Sequence, residues 1–193
     1  MDHKQPTAKT SNIQDARWVR SRAALGAALL ALIEQRPFDQ ITVREITAEA
    51  GVGYATFFRH YESKEALLDD VAGDQVRQLV SRSLTALEDV ETRAACLALC
   101  SYVDEHRKVW AALFGSGAKK AVQEELVRVS MIVASTRSSG WIPAELGVIV
   151  TASSTVEVLS WWLRQPEPMP AEQVAKMLDW LIMSPLIRLG SGI

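Results

Sequence analysis

Apolar residues recur along the chain at helical spacing, interrupted by short breaks rich in glycine, proline or polar residues. Trp18, Leu25, Leu29, Leu32 and Ile33 share one face of a helix predicted from Arg17 to Gln35. Arg17, Arg20 and Arg22 cluster on its first turns. The run Arg36-Pro37-Phe38-Asp39-Gln40 ends it, because Pro37 cannot continue a helix. Thr42-Val43-Arg44-Glu45 reads as a capping box, in which the Thr42 hydroxyl accepts the N3 amide and Glu45 reaches back. A short helix then runs to about Ala50, and Gly51-Val52-Gly53 makes a tight turn in which Gly51 takes a positive φ. A second short helix covers Tyr54 to His60, and Ser63 is the N-cap of a third, from Lys64 to about Leu87. Further helices are predicted near 92–105, 106–114, 119–138, 144–164 and 171–188. Gly115-Ser116-Gly117, Ser138-Ser139-Gly140, Pro166, Pro168 and Pro170 punctuate them. No alternating strand pattern and no internal repeat is found, so the chain reads as all-α with about nine helices.

Composition agrees with a globular fold. Of 193 residues, 48% are hydrophobic and 23% charged, with a net charge of −2. That much apolar surface with so little net charge excludes disorder for most of the chain. The longest low-charge stretch, Leu146 to Leu163, is interrupted by Thr151, Ser153, Ser154, Thr155, Glu157 and Ser160, so no membrane span is expected. Residues 1–14 read as a flexible polar tail without the apolar region of a signal peptide, which makes the cytoplasm the expected compartment. Two cysteines are too few for a disulfide scaffold. Residues 1–65 carry a net charge of +1 and residues 66–193 a net charge of −3, so a DNA reading must rest on motif rather than overall charge.

The stretch from Thr42 to Leu67 carries that motif. Two short helices joined by a three-residue turn containing glycine describe a helix-turn-helix. Ile46 and Val52 would pack the first helix across the second, and Phe57 and Tyr61 would anchor the second to the core. Tyr54, Ala55, Thr56, Phe58, Arg59 and His60 are then left for the exposed side. A recognition helix enters the major groove with its N-terminal residues near base edges. Arg44 would reach a guanine edge bidentately, and Thr42 and Lys64 stand where phosphates would be bound.

This region resembles the N-terminal DNA-binding region of the TetR family of transcriptional regulators. The resemblance is carried by Phe38 with Ile41-Thr42-Val43-Arg44-Glu45-Ile46, by Ala50-Gly51-Val52, and by Thr56-Phe57-Phe58-Arg59-His60-Tyr61 before Ser63-Lys64-Glu65-Ala66-Leu67. It covers about residues 15–68. It implies Arg44 as a base reader and Tyr54 and Thr56 as base or phosphate contacts. Phe58, Arg59 and His60 would meet the DNA backbone, with Thr42 and Lys64 on phosphates. Gly53, Ala55, Phe58 and Tyr61 depart from residues frequent in the family. Phe58 replaces a common tyrosine, exchanging a phosphate contact for an apolar one with a thymine methyl.

The resemblance also implies a second, all-α domain that dimerises and holds a ligand pocket. The expected organisation is a DNA-binding domain over residues 15–62 and a regulatory and dimerisation domain over 63–193. Tyr102, Trp110, Phe114, Met131 and Glu157 are the candidates for an effector pocket, and Trp162, Leu178, Leu181 and Ile182 for a homodimer face. The function implied is a ligand-responsive repressor that binds a near-palindromic operator as a homodimer. A small apolar or amphipathic effector would release it. The alternative is a helical protein acting through protein or metabolite partners without specific DNA binding. Catalysis finds no support: the only histidines are His3, His60 and His106, and no nucleophile elbow, phosphate loop or metal-ligand motif occurs. No cofactor and no metal is expected. Cys96 and Cys100, one helical turn apart, read as small buried apolar side chains.

Overall fold

The computed structural model describes residues 8–87, 92–134 and 142–186. All regular structure among them is helical: α1 (Ala8–Gln35), α2 (Val43–Glu49), α3 (Tyr54–His60), α4 (Lys64–Leu87), α5 (Thr92–Glu105), α6 (Arg107–Gly115), α7 (Lys119–Ala134), α8 (Ala144–Leu163) and α9 (Ala171–Leu178). The all-α reading therefore holds for the described residues. Helix α1 begins well ahead of Arg17, in the segment expected to be tail. Lys9, Thr10, Ser11 and Asn12 offer no apolar period, so the pattern cannot see this extension, which adds turns to a helix already nucleated. The chain divides into two compact units, one ending at Leu68 and one beginning at Asp69. The division falls within α4 rather than ahead of Ser63.

The first unit is built around Leu25, Leu29, Leu32 and Ile33 of α1, together with Phe38, Ile41, Ile46, Phe57, Leu67 and Leu68, all buried. Trp18, expected on that apolar face, is instead 48% exposed. Pro37 opens the break after α1, and Phe38–Gln40 form a single 3-10 turn. Gly51 adopts φ 61°, as the turn between α2 and α3 requires. Ser63 Oγ accepts the amide of Ala66 at 3.1 Å, which caps α4.

In the second unit α5 lies along α9, α7 lies along α8, and α6 packs on both α7 and α8. The segment expected as one helix over 171–188 changes character at Asp179, where a π-helical turn runs from Asp179 to Met183. The Ser184 amide donates to the Asp179 carbonyl, five residues back. The buried Asp179 carboxylate accepts from Thr92 Oγ1 at 2.5 Å and Ser184 Oγ at 2.7 Å. A buried carboxylate needs such donors, and the wider turn supplies one of them. Helix α8 is long and apolar enough to cross a membrane by length and composition only, a test that a buried core helix also passes. It packs on α6 and α7 through Ala152, Val156 and Leu159, which are buried. Ser138, Gly140, Trp141 and the chain end beyond residue 186 lie outside the described residues.

Candidate nucleic-acid interface

Helix α2 is held at its start by the expected capping box. Thr42 Oγ1 accepts the Glu45 amide at 3.3 Å, while Glu45 Oε2 accepts both the Thr42 amide and the Thr42 hydroxyl at 2.8 Å. Arg36 Nη1 pairs with the other carboxylate oxygen at 2.9 Å. The Thr42 hydrogen bonds first, and the Arg36 charge after them, hold the Glu45 carboxyl below its ordinary range. Thr42 thus acts as the cap. Both of its donors go to Glu45, so a phosphate at Thr42 would compete with that carboxylate.

Helix α3 is locked by Phe57, which is fully buried, with Tyr61 half-buried behind it at 5.9 Å between ring centroids. That burial fixes which side of α3 faces out. Tyr54 (51% exposed), Ala55, Phe58 (48% exposed) and Arg59 lie on it, with Thr56 at its margin. The Tyr54 and Phe58 rings, one helical turn apart, meet edge to face at 5.1 Å. Arg59 Nη2 donates to Thr56 Oγ1 at 2.9 Å, which holds the two side chains together on this face. Arg44 is exposed on the first turn of α2. Small or half-exposed groups thus surround two arginines, which suits close approach to a duplex.

Two expected contacts are engaged elsewhere. Lys64 Nζ donates to the carbonyls of Phe38 (3.0 Å), Asp39 (3.3 Å) and Ile41 (2.8 Å) and sits 4.6 Å above the Phe38 ring. An ammonium has three donors, so a phosphate would compete with three internal acceptors. His60 turns back toward α1: its Nε2 is 2.7 Å from Ser21 Oγ, and its ring stacks on Trp18 at 3.7 Å between centroids. Its buried Nδ1 has no hydrogen-bond partner. Burial, then the charges of Arg59 and Arg22, lower its pKa and favour the neutral ring. Around it opens a cleft of about 550 Å³ lined by Arg17, Trp18, Ser21, the Gly51–Gly53 turn, Thr56, Arg59 and His60. Sequence reasoning did not assign Arg17 to the site, although the arginine cluster at the start of the helix was a signal.

Residues 25–71 match the family model described as bacterial regulatory proteins, tetR family. That segment is similar to the DNA-binding region of TetR-family regulators. The matched span takes in α2, the turn, α3 and the first turns of α4, where the geometry above resides. An uncharacterized HTH-type transcriptional regulator, YxbF of Bacillus subtilis (strain 168), is 23% identical over 172 residues. The alignment covers 85% of this chain but only 45% of that relative. The fold is that of a TetR transcriptional regulator from Streptococcus agalactiae 2603V, with 24% identity, TM-score 0.59, and coverage of 89% of this chain and 98% of that one. It is also that of RolR in complex with resorcinol, with 17% identity, TM-score 0.60, and coverage of 92% and 96%.

The second unit places the residues expected for an effector pocket and a dimer face as follows. Tyr102 and Trp110 are buried, and Phe114 and Met131 are half-buried. Glu157 is exposed and ion-paired to Lys119 at 2.7 Å, so it faces away from the interior. Of the expected dimer residues, Trp162, Leu178 and Ile182 are buried within the unit, and only Leu181, 72% exposed, remains on the surface. The exposed apolar residues of α8 and of the turn after α9 are instead Leu146, Ile149, Val150, Trp161, Trp180 and Leu181. Cys96 and Cys100 are buried free thiols, and burial pushes both up to about 12, which keeps them protonated and inert.

Proposed function

We propose that this chain is a TetR-family repressor that binds a near-palindromic operator as a homodimer and leaves it when a small effector occupies the second unit. The observation that carries the DNA part is the outward face of α3. Phe57 holds one side of the helix in the core, and Tyr54, Ala55, Thr56, Phe58 and Arg59 stand on the other beside Arg44. Arg44 reads a guanine edge, Thr56 and Arg59 meet base or phosphate together, and Phe58 meets a thymine methyl. Two such helices must lie about 34–36 Å apart to enter successive major grooves, which is the reason for a dimer.

The exposed apolar row Leu146, Ile149, Val150 and Trp161 on α8, with Trp180 and Leu181, supplies a surface for the second copy. RolR, of the same fold, is solved with resorcinol bound, which supports a small molecule as the effector class here. The effector would act by binding the DNA-free state more tightly than the DNA-competent one. The chain would work in the cytoplasm, where its operator is.

Selection of genomic fragments by the purified chain, followed by footprinting, tests the reading. A protected near-palindrome whose affinity falls steeply with salt is expected. A salt-insensitive interaction, or no enriched sequence at low salt, would move the protein to the class that acts through protein or metabolite partners. Arg44→Ala should cost about 1–3 kcal/mol of operator binding and relax specificity at one base pair, read by titration at fixed salt.

A further inference from the structure

Two polar groups in the second unit are buried without a partner: Trp110 Nε1 on α6 and Thr155 Oγ1 on α8. Trp110 is 0% exposed and Thr155 is 1% exposed. Helices α6 and α8 pack on one another. A buried donor left unmade is costly, and exceptions in folded proteins call for a reason.

Residues of the same type in this unit do find partners. The other fully buried tryptophan, Trp162, donates its Nε1 to the Met169 carbonyl at 2.9 Å. Thr151, one turn before Thr155 on α8, bonds back to the Gly147 carbonyl at 2.7 Å. That back-bond is the ordinary refuge of a helical threonine, and Thr155 Oγ1 does not take it. The Tyr102 hydroxyl, which also belongs to the aromatic cluster, is already closed by Gln75 at 3.0 Å and Gln78 at 3.1 Å. Among the described residues of this apolar region, the buried side-chain atoms without a partner are Trp110 Nε1 and Thr155 Oγ1.

We infer that Trp110 Nε1 and Thr155 Oγ1 are the polar anchors of the effector site, and that they select a small neutral molecule carrying a hydrogen-bond-accepting oxygen. The inference rests on the ligand-responsive reading above and deepens it. Both groups donate, and tryptophan cannot accept, so the ligand must accept. The rest of the ligand is apolar and flat enough to lie against the ring series Tyr102, Trp110 and Phe114, whose successive centroids are 6.4 and 5.8 Å apart. A carboxylate would have to take its counter-ion from an existing pair: Arg107 is paired with Asp104 at 3.0 Å, Lys119 with Glu157 at 2.7 Å, and Arg82, 4.7 Å above the Tyr102 ring, with Glu105 at 3.9 Å.

The test uses the full chain and two probes of matched shape, acetophenone and ethylbenzene, which differ in the carbonyl oxygen. Calorimetric titration and the ligand-dependent rise in Tm are read for each. Acetophenone is expected to bind about tenfold more tightly than ethylbenzene, the worth of one hydrogen bond to otherwise unpaired donors. Thr155→Val should remove most of that preference, Thr155→Ser should keep it, and Trp110→Phe should weaken acetophenone in the same direction. Equal affinity for the two probes, or a preference unchanged in Thr155→Val, overturns the anchoring role while leaving an apolar effector site intact. Absence of binding by either probe overturns the ligand class, and a compound screen for operator release then decides the effector reading separately.

Discussion

At the scale of single residues, the DNA-binding unit is governed by which donors are already used. Arg44 keeps an exposed guanidinium, whereas Lys64 is spread over three carbonyls of the 3-10 turn and its flank. His60 carries a testable consequence. Its folded pKa lies below the ordinary 6.5, so the unfolded chain binds the proton more readily. Stability from this contact is complete above about pH 6.5 and is lost as pH falls through the lowered folded value. Urea unfolding between pH 7.5 and pH 5.5 should show a loss that His60→Gln reduces (both pH values approximate). Glu45 is lowered too, but its contribution disappears only below its ordinary 4.5, so the two windows separate.

At the scale of elements, caps and turn geometry decide whether α2 and α3 form where they do. The reciprocal Thr42–Glu45 bonds stop α2 from fraying at the residue next to Arg44. Thr42→Ala should lower stability by about 1 kcal/mol and weaken operator binding by loosening the position of Arg44, measured by urea unfolding and by titration. Gly51 is required by its φ of 61° alone, since a Cβ there would meet nothing within 4 Å. Gly51→Ala should therefore cost about 1 kcal/mol of backbone strain and no more, whereas a clash would cost several times that. Helix α9 shows the reverse case: its period of buried Ala171, Val174, Ala175 and Leu178 runs on toward Ile182, yet the π-helical turn interrupts it. Its wider turn leaves Leu181 outside and Asp179 inside, with Thr92 and Ser184 as donors.

At the scale of the whole molecule, the association of copies is the property most open to test. An exposed tryptophan, Trp180 at 64%, next to a leucine at 72% is unusual on a lone chain of this size. Burying each against a second copy would contribute about 1.5–3 kcal/mol. In the proposed homodimer, Leu181→Glu is expected to shift the chain toward monomer in sedimentation without changing its helicity. The homologous expectation for Trp162, Leu178 and Ile182 is different: truncating these core residues should lower stability by about 2–5 kcal/mol.

The sequence by itself determined the helical class, the limits of most helices, the capping box, the positive φ at Gly51 and, His60 excepted, the outward set on α3. Each follows from spacing, cap chemistry or glycine's lack of a side chain, all of which are local along the chain. The tertiary structure alone decided which face of a two-faced helix turns inward. Helix α8 is apolar on two sides, and only its packing on α6 and α7 tells Val156, Leu159 and Trp162 from Leu146, Ile149 and Trp161. It also decided which polar groups are spent on neighbours distant in sequence. Lys64 finds carbonyls 23 to 26 positions away and His60 meets Ser21 39 positions away, while Trp110 and Thr155 are left without partners. Such pairings depend on where folded elements meet, and periodicity within one element carries no record of that.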